Sequence, residues 1–276
     1  MSAQKFNAAV IQLCTSNERA KAFADLERHV RAAAKAGARL ILTPEGSNLL
    51  ERDRSKFAKI CPLENDPTAI KHYQELAREL GVVLIIGSAL LQRTNARAAN
   101  RCLVFAENGE LISQYDKIHL FDVNLGNGME LQESKTYAAG KQAVVAKTSL
   151  GEIGLSICYD VRFPHLYRAL AQSGAKILTI PAAFTVPTGK AHWEVLLRAR
   201  AIETGSFVLA AAQAGSHADG RQTYGHSMII SPWGEILAQM NSTETGFVIA
   251  EIDLNLADEA RCKIPAWSLN QEFDSL

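Results

Sequence analysis

Several things are scarce in this sequence, and each scarcity removes a class of protein. Its 276 residues hold five cysteines, Cys14, Cys61, Cys102, Cys158 and Cys262, an odd number with no C-x-x-C pair. That argues against a disulfide framework and against a zinc site, and makes a reducing cytosol the expected compartment. Net charge is missing: 29 Lys and Arg balance 29 Asp and Glu, so no long-range field recruits nucleic acid or an anionic membrane. No apolar run reaches the roughly 18 residues of a membrane helix, and no apolar leader segment precedes the first strand. The expected class is a soluble, non-secreted enzyme for a small molecule. No linker interrupts the chain, which reads as one domain over residues 1–276.

What is present gathers around GEIGLSICYDVRFPHLYRAL, residues 151–170. Ile153–Ile157 reads as a buried apolar strand that delivers Cys158 to its C-terminal end. A polar turn, Tyr159-Asp160-Val161-Arg162, follows, and Pro164 opens a helix. Backbone N–H groups and a helix N-terminus beside a thiol favour its thiolate and can hold an oxyanion. The competing reading is a packed cysteine, because free Cys is among the most buried residue types. Asp160 and Arg162 read as an ion pair behind the nucleophile.

On either side, strand and helix patterns alternate. Strands are expected over Phe6–Leu13, Arg39–Thr43, Val82–Gly87, Lys176–Pro181, Phe207–Gln213, His226–Ser231, Glu235–Met240 and Phe247–Ile252. Thr15-Ser-Asn-Glu18 has capping-box spacing for a helix whose Phe23, Leu26, Val30, Ala33 and Ala34 share one face and which Gly37 ends. Asp66-Pro67 starts another, with Ile70, Tyr73, Leu76 and Leu80 on one face and Gly81 at its end. Glu107-Asn108-Gly109 is a hairpin signal between Arg101–Ala106 and Glu110–Tyr115. Residues 121–142, rich in Gly and Asn, are too many for a connector and read as a functional loop carrying Glu133. The loop FTVPTG leads to a helix over 191–204, and the polar tail from Asn255 is expected to pack outside.

A repeat runs through this order. AGARLILTPE (36–45) matches SGAKILTIPA (173–182), aligning Pro44 with Pro181, and NRCLVFAENGELISQ (100–114) matches GHSMIISPWGEILAQ (225–239). VVLII and FVLAA stand at the same offset, and the strand ending in Cys14 corresponds to the one ending in Cys158. The halves read as copies of one β-α-β-α-β-β unit. Each would build a sheet covered by helices on one face, and two such sheets packed together give a four-layer αββα sandwich of pseudo-symmetric halves. Cys14 is then the counterpart of Cys158.

Three complementary groups end strands: Glu45, Lys117 and Cys158. A thiol attacking a carbonyl needs a base for its proton, a cation or donors for the oxyanion, and an acid for the leaving group. Each group alone has a plainer reading: Glu45 a helix cap, Lys117 a solvated charge, Cys158 core.

LTPEGSN around Glu45, YDKIHLFD around Lys117 and LSICYDVRFPHL around Cys158 resemble, in order and spacing, the three signature segments of the nitrilase superfamily of carbon–nitrogen hydrolases. The likeness extends from the first strand to about Asp253. IPAAFTVPTGKAHWEVLLRARAIETGSFVLAAAQAG, YGHSMIISPWGEIL and LQESKTYAAG resemble the branch holding deaminated glutathione amidase and omega-amidase. By that resemblance Glu45 is the general base, Lys117 the oxyanion cation, Cys158 the nucleophile and Glu133 the second glutamate, with the Tyr159 N–H as a further oxyanion donor. The implied reaction is hydrolysis of a carboxylate-bearing amide to acid and ammonia through a cysteine thioester. An N-carbamoyl-amino-acid hydrolase, a nitrilase and a catalytically silent scaffold relative are the alternatives.

His165 departs from the family's Glu after Phe-Pro, and Lys190 from its Pro before Ala-His-Trp. The pocket is expected to be bounded by the Glu133 loop and by Ala183-Phe184-Thr185, with Phe184 and Thr185 touching substrate and Arg162 or Lys190 meeting its far carboxylate. Side chains handle every proton and charge, so no cofactor and no metal is expected; none of the seven histidines has H-E-x-x-H spacing. The expected partners are the small amide and, by resemblance, a second copy in a homodimer or higher homo-oligomer, without nucleic acid or membrane.

Overall fold

The computed structural model describes residues 5–94, 96–124, 126, 130–272 and 274. Strand β1 (Lys5–Gln12) and helix α1 (Arg19–Lys35) come first, then β2 (Leu40–Leu42), a short helix α2 (Arg54–Ile60), α3 (Thr68–Leu80) and strands β3 (Val83–Arg93), β4 (Ala96–Phe105) and β5 (Leu111–Asp116). A small hairpin, β6 (Asp122–Asn124) and β7 (Glu130–Gln132), lies inside the stretch expected to be a loop; residues 125 and 127–129 of that stretch fall outside the described residues. The second half holds β8 (Val144–Thr148), β9 (Gly151–Leu155), α4 (Pro164–Gln172), β10 (Ile177–Thr179), α5 (Val186–Thr204) and β11 (Phe207–Ala210). A second hairpin, β12 (Ala214–Ser216) and β13 (Gln222–Tyr224), precedes β14 (Met228–Ile230), β15 (Ile236–Gln239), β16 (Gly246–Asp253) and α6 (Leu254–Lys263).

The strands form two six-stranded sheets of matching order, β16-β1-β2-β3-β4-β5 and β8-β9-β10-β11-β14-β15. In each, the three strands after the antiparallel edge strand run parallel, and the last two turn back as an antiparallel hairpin. Period-two alternation makes the layers. Ala8, Val10, Leu40, Leu42, Val83 and Ile85 face the other sheet, while Ala9, Ile11, Ile41, Leu84 and Ile86 meet α1 and α3. On α1 it is Leu26 and Val30, both fully buried, that fill the outer core, each contributing roughly 1.5–3 kcal/mol. Helices α4 and α5 cover the second sheet through Leu166, Leu170, Trp193 and Leu197. The repeat in the sequence is thus a repeat in space, and the fold is the four-layer αββα sandwich.

The pairing register corrects one detail. β1 pairs Ala8 with Leu40, and β9 pairs Ile153 with Ile177, so the equivalent of Cys158 is Leu13, and Cys14 corresponds to Tyr159. Local readings also shift. No capping box forms at Glu18, because Thr15 is drawn away: its N–H donates to Gln213 Oε1 (3.0 Å) and its hydroxyl accepts from Gln213 Nε2 (2.7 Å). Helix α5 begins at Val186 rather than near 191, since Pro187 lies in its first turn, where a missing N–H costs nothing. The tail after Asn255 folds as α6, which buries Leu254, Ala257 and Ala260 against the outside of the sandwich.

Candidate active site

The carboxyl ends of the parallel strands of both sheets meet at one edge, and the ionisable groups collect there. Thr43 and Pro44 follow β2 and deliver Glu45; Lys117 follows β5, its N–H donating to Asn100 O at 3.0 Å; Cys158 comes shortly after β9. Close approach of the halves depends on Gly87, where a Cβ would lie 1.9 Å from Thr43 O and 2.4 Å from Pro181 Cβ.

Glu45 is almost completely buried, and each of its oxygens is assigned. Oε1 accepts from Lys117 Nζ and Asn100 Nδ2, both at 2.9 Å, and Oε2 accepts from the Ala183 N–H at 2.9 Å. Cys158 lines the same cavity as this carboxylate, near enough to act on its ionisation. Lys117 Nζ also donates to Glu133 Oε1 and Oε2, each at 2.9 Å, and Glu133 Oε2 is further held by the Phe121 N–H at 2.6 Å. Asn100 Nδ2 reaches Glu133 Oε1 at 3.2 Å as well, so one amide bridges the two carboxylates. Sequence reading missed Asn100; the only trace was that NRCLVFAENGELISQ aligns it with Gly225, so only the first half carries a functional group there.

Cys158 sits in the left-handed region, φ 52°, which costs a non-glycine residue on the order of 1–3 kcal/mol and turns its side chain away from the strand it ends. Its N–H donates to Pro181 O at 2.8 Å and is unavailable to a substrate. Tyr159 follows in the first turn of a 3-10 segment, Cys158–Arg162, where an N–H has no acceptor within its own helix. The turn is fixed by Asp160, whose carboxylate is fully buried. Oδ2 accepts from the Ile157 N–H (2.8 Å) and the Tyr115 hydroxyl (2.7 Å), and Oδ1 from the His119 N–H (3.0 Å) and ring Nδ1 (2.7 Å). The expected Asp160–Arg162 ion pair is not formed, because these donors fill the carboxylate.

Protonation follows from this packing. Burial raises the Glu45 carboxyl, but the Lys117 charge and hydrogen bonds from Lys117 and Asn100 bring it below the ordinary value. Burial, then the Glu45 charge, push the Cys158 thiol well above 9.0 against the opposing pull of Lys117. Burial lowers Lys117, yet the charges of Glu133 and Glu45 carry it well above 10.5. The resting site therefore holds a neutral thiol, an ionised Glu45 and an ammonium. This corrects the expectation of a stabilised thiolate: burial and a neighbouring carboxylate outweigh the few dipoles of a short 3-10 turn. A neutral thiol beside a carboxylate base and a fixed ammonium can attack a carbonyl carbon with proton transfer.

Glu45, Lys117, Cys158, Glu133 and Thr185 line a cavity of about 1150 Å³. Arg162, Phe184 and Lys190 do not line it. Arg162 lies behind, its guanidinium 5.9 Å and 5.5 Å from the ring centroids of Tyr159 and Phe184 and its Nη2 3.3 Å from His192 Nδ1. Phe184 packs on Trp193 with ring centroids 4.8 Å apart. Lys190 is exposed, because the early start of α5 puts it on the solvent side of that helix. His165, also exposed, lies edge-on to Phe163, on which His119 stacks. The cations on the cavity wall, besides Lys117, are instead Arg52, Arg54, Lys56 and Arg221.

Known proteins are similar to this chain over most of its length. The family model for carbon–nitrogen hydrolase matches residues 7–262. A probable hydrolase of Schizosaccharomyces pombe, nit2, is 39% identical over 98% of this chain and 99% of its own. A deaminated glutathione amidase of Yersinia enterocolitica is 37% identical over 98% of this chain and 94% of its own. The crystal structure of the C. elegans NITFHIT protein superposes with a TM-score of 0.90 at 36% identity, covering 98% of this chain and 66% of that one. Family match, fold and full-length relatives agree: the chain belongs to the carbon–nitrogen hydrolases and is a hydrolase of amide C–N bonds.

Proposed function

We propose that the protein cleaves a small, carboxylate-bearing amide, with deaminated glutathione as the leading substrate, and that the chain acts as one catalytic domain. The observation that carries the reading is the gathering of Cys158, Glu45 and Lys117 on one cavity wall, with Lys117 Nζ 2.9 Å from Glu45 Oε1. Glu45 takes the thiol proton as sulfur bonds to the amide carbon. The oxyanion is held by the Lys117 ammonium and the Tyr159 N–H. Glu45 returns the proton to nitrogen, the C–N bond breaks and ammonia or an amine leaves. Water, deprotonated by Glu45, then cleaves the thioester and frees the acid and the thiol. Glu133 keeps Lys117 charged throughout.

The substrate assignment draws on relatives named deaminated glutathione amidase at 35–39% identity, on the cavity's size and on the cations of its wall. A panel of deaminated glutathione and short 2-oxo-acid amides, followed by product mass spectrometry, tests it. Deaminated glutathione should give the highest kcat/KM; faster turnover of a neutral amide overturns the assignment.

A cytoplasmic homodimer completes the reading. All five cysteines are free thiols, as a reducing compartment requires. Among the described residues no helix is long and apolar enough to cross a membrane. Val195, Ile202, Trp233 and Ile264 are large apolar residues left more than half exposed, and Trp233 and Ile202 belong to one surface, joined through Gly234. Trp233→Glu should convert a dimer to monomers in sedimentation; a wild-type monomer refutes the pairing.

A further inference from the structure

The catalytic end of the cavity carries two carboxylates, Glu45 and Glu133, against one ammonium, Lys117. A substrate carboxylate is repelled from that end and must lie against another wall for its amide to reach Cys158. The β12–β13 hairpin supplies that wall. Tyr224 N–H donates to Phe184 O at 3.0 Å and Thr223 bridges to Thr185, so the hairpin is bonded to the segment whose Ala183 N–H holds Glu45.

Arg221 stands on the hairpin turn, two residues before Thr223, and lines the cavity. Its Nε donates to Asp219 Oδ2 at 2.8 Å and its backbone N–H to Asp219 Oδ1 at 3.1 Å. The Asp219 side chain is fully covered, while that of Arg221 is 26% exposed. Among the described residues the two terminal nitrogens of this guanidinium make no hydrogen bond. Arg52, Arg54 and Lys56, by contrast, are exposed residues around the start of α2 and have no carboxylate holding them in place among the described residues. Arg221 and Tyr137 line the same cavity as Glu133 and Glu45.

We propose that Arg221, oriented by Asp219, is the receptor for the substrate's carboxylate and sets the preference for acidic amides. The inference rests on the functional reading above. Asp219 occupies one edge of the guanidinium and leaves the forked end for a bidentate carboxylate, with rotamer freedom already spent. A turn-fixing ion pair with no part in recognition would leave substrate preference untouched.

The test compares kcat/KM for glutaramate with that for pentanamide, a neutral amide of equal chain length, in the wild-type protein and in Arg221→Gln, Arg221→Lys and Asp219→Asn. Taking a ratio for each variant cancels differences in the folded fraction. Wild type should favour glutaramate. Arg221→Gln should lower the ratio at least about tenfold, chiefly through KM, since a contact made equally in ground and transition states acts on binding. Arg221→Lys should recover part of it and Asp219→Asn lose a smaller part. A wild-type preference that survives Arg221→Gln overturns the receptor alone. A wild-type protein with no preference overturns the acidic-amide reading and the receptor with it.

Discussion

Lys117 Nζ lies 2.9 Å from Glu45 Oε1 and 2.9 Å from both oxygens of Glu133, so a single ammonium answers two buried carboxylates. Its position explains why Glu45 stays ionised although buried; the adjacent thiol stays neutral because burial and the Glu45 charge outweigh the pull of Lys117.

The pH profile follows from those directions. The proposed mechanism needs Glu45 ionised, with Cys158 and Lys117 protonated. Glu45 is depressed, so its protonation limits activity only below the ordinary 4.5; Cys158 and Lys117 are raised, so their deprotonation limits it only above 9.0. kcat/KM for an amide without other titrating groups should be flat between those values. An acid limb centred above 4.5 or an alkaline limb centred below 9.0 contradicts the assignment.

Base and cation separate by mutation. Glu45→Gln keeps the side chain's shape and leaves Lys117 paired with Glu133, so the protein should melt near the wild-type temperature while kcat falls by about 10²–10⁴. Lys117→Met should lower kcat by about 10²–10³ and also destabilise the fold by about 3–5 kcal/mol, because two buried carboxylates lose their counter-charge. Adding Glu133→Gln to Lys117→Met should restore part of the melting temperature and none of the turnover. Wild-type turnover in either single variant refutes the roles.

Asp160 ties the nucleophile's turn to the strand end bearing Lys117, through Ile157 on one side and Tyr115 and His119 on the other. Asp160→Asn presents a donor to a group of donors, at a cost of about 1–3 kcal/mol. The expected result is a lower melting temperature and at least about a tenfold loss of kcat, with KM less affected. An unchanged kcat means that the buried carboxylate does not position Cys158.

The gathering of Glu45, Lys117 and Cys158 was legible because a motif and a strand end coincide at each, and the doubled strand order was legible in the paired segments ending at Pro44 and Pro181. Azimuth was not. Arg162 follows Cys158 by four residues, yet the 3-10 turn rotates it onto the faces of Tyr159 and Phe184, out of the cavity. Helix α2 was missed because Phe57 is its single buried residue, too little for an apolar period, although Asp53 caps it through the Lys56 N–H at 3.0 Å. Arg221 was invisible because its importance depends on which wall of a cavity a polar hairpin forms, and polar turns carry no periodicity.

The central claim is a covalent one, and acid-quenched turnover with peptide mapping tests it most directly. During hydrolysis of a slow acidic amide, the acyl group should be found as a thioester on the peptide bearing Cys158 and should disappear when substrate is exhausted. Steady turnover with no acyl mass on that peptide, or an acyl group that instead tracks Cys14, Cys61, Cys102 or Cys262, would contradict the account.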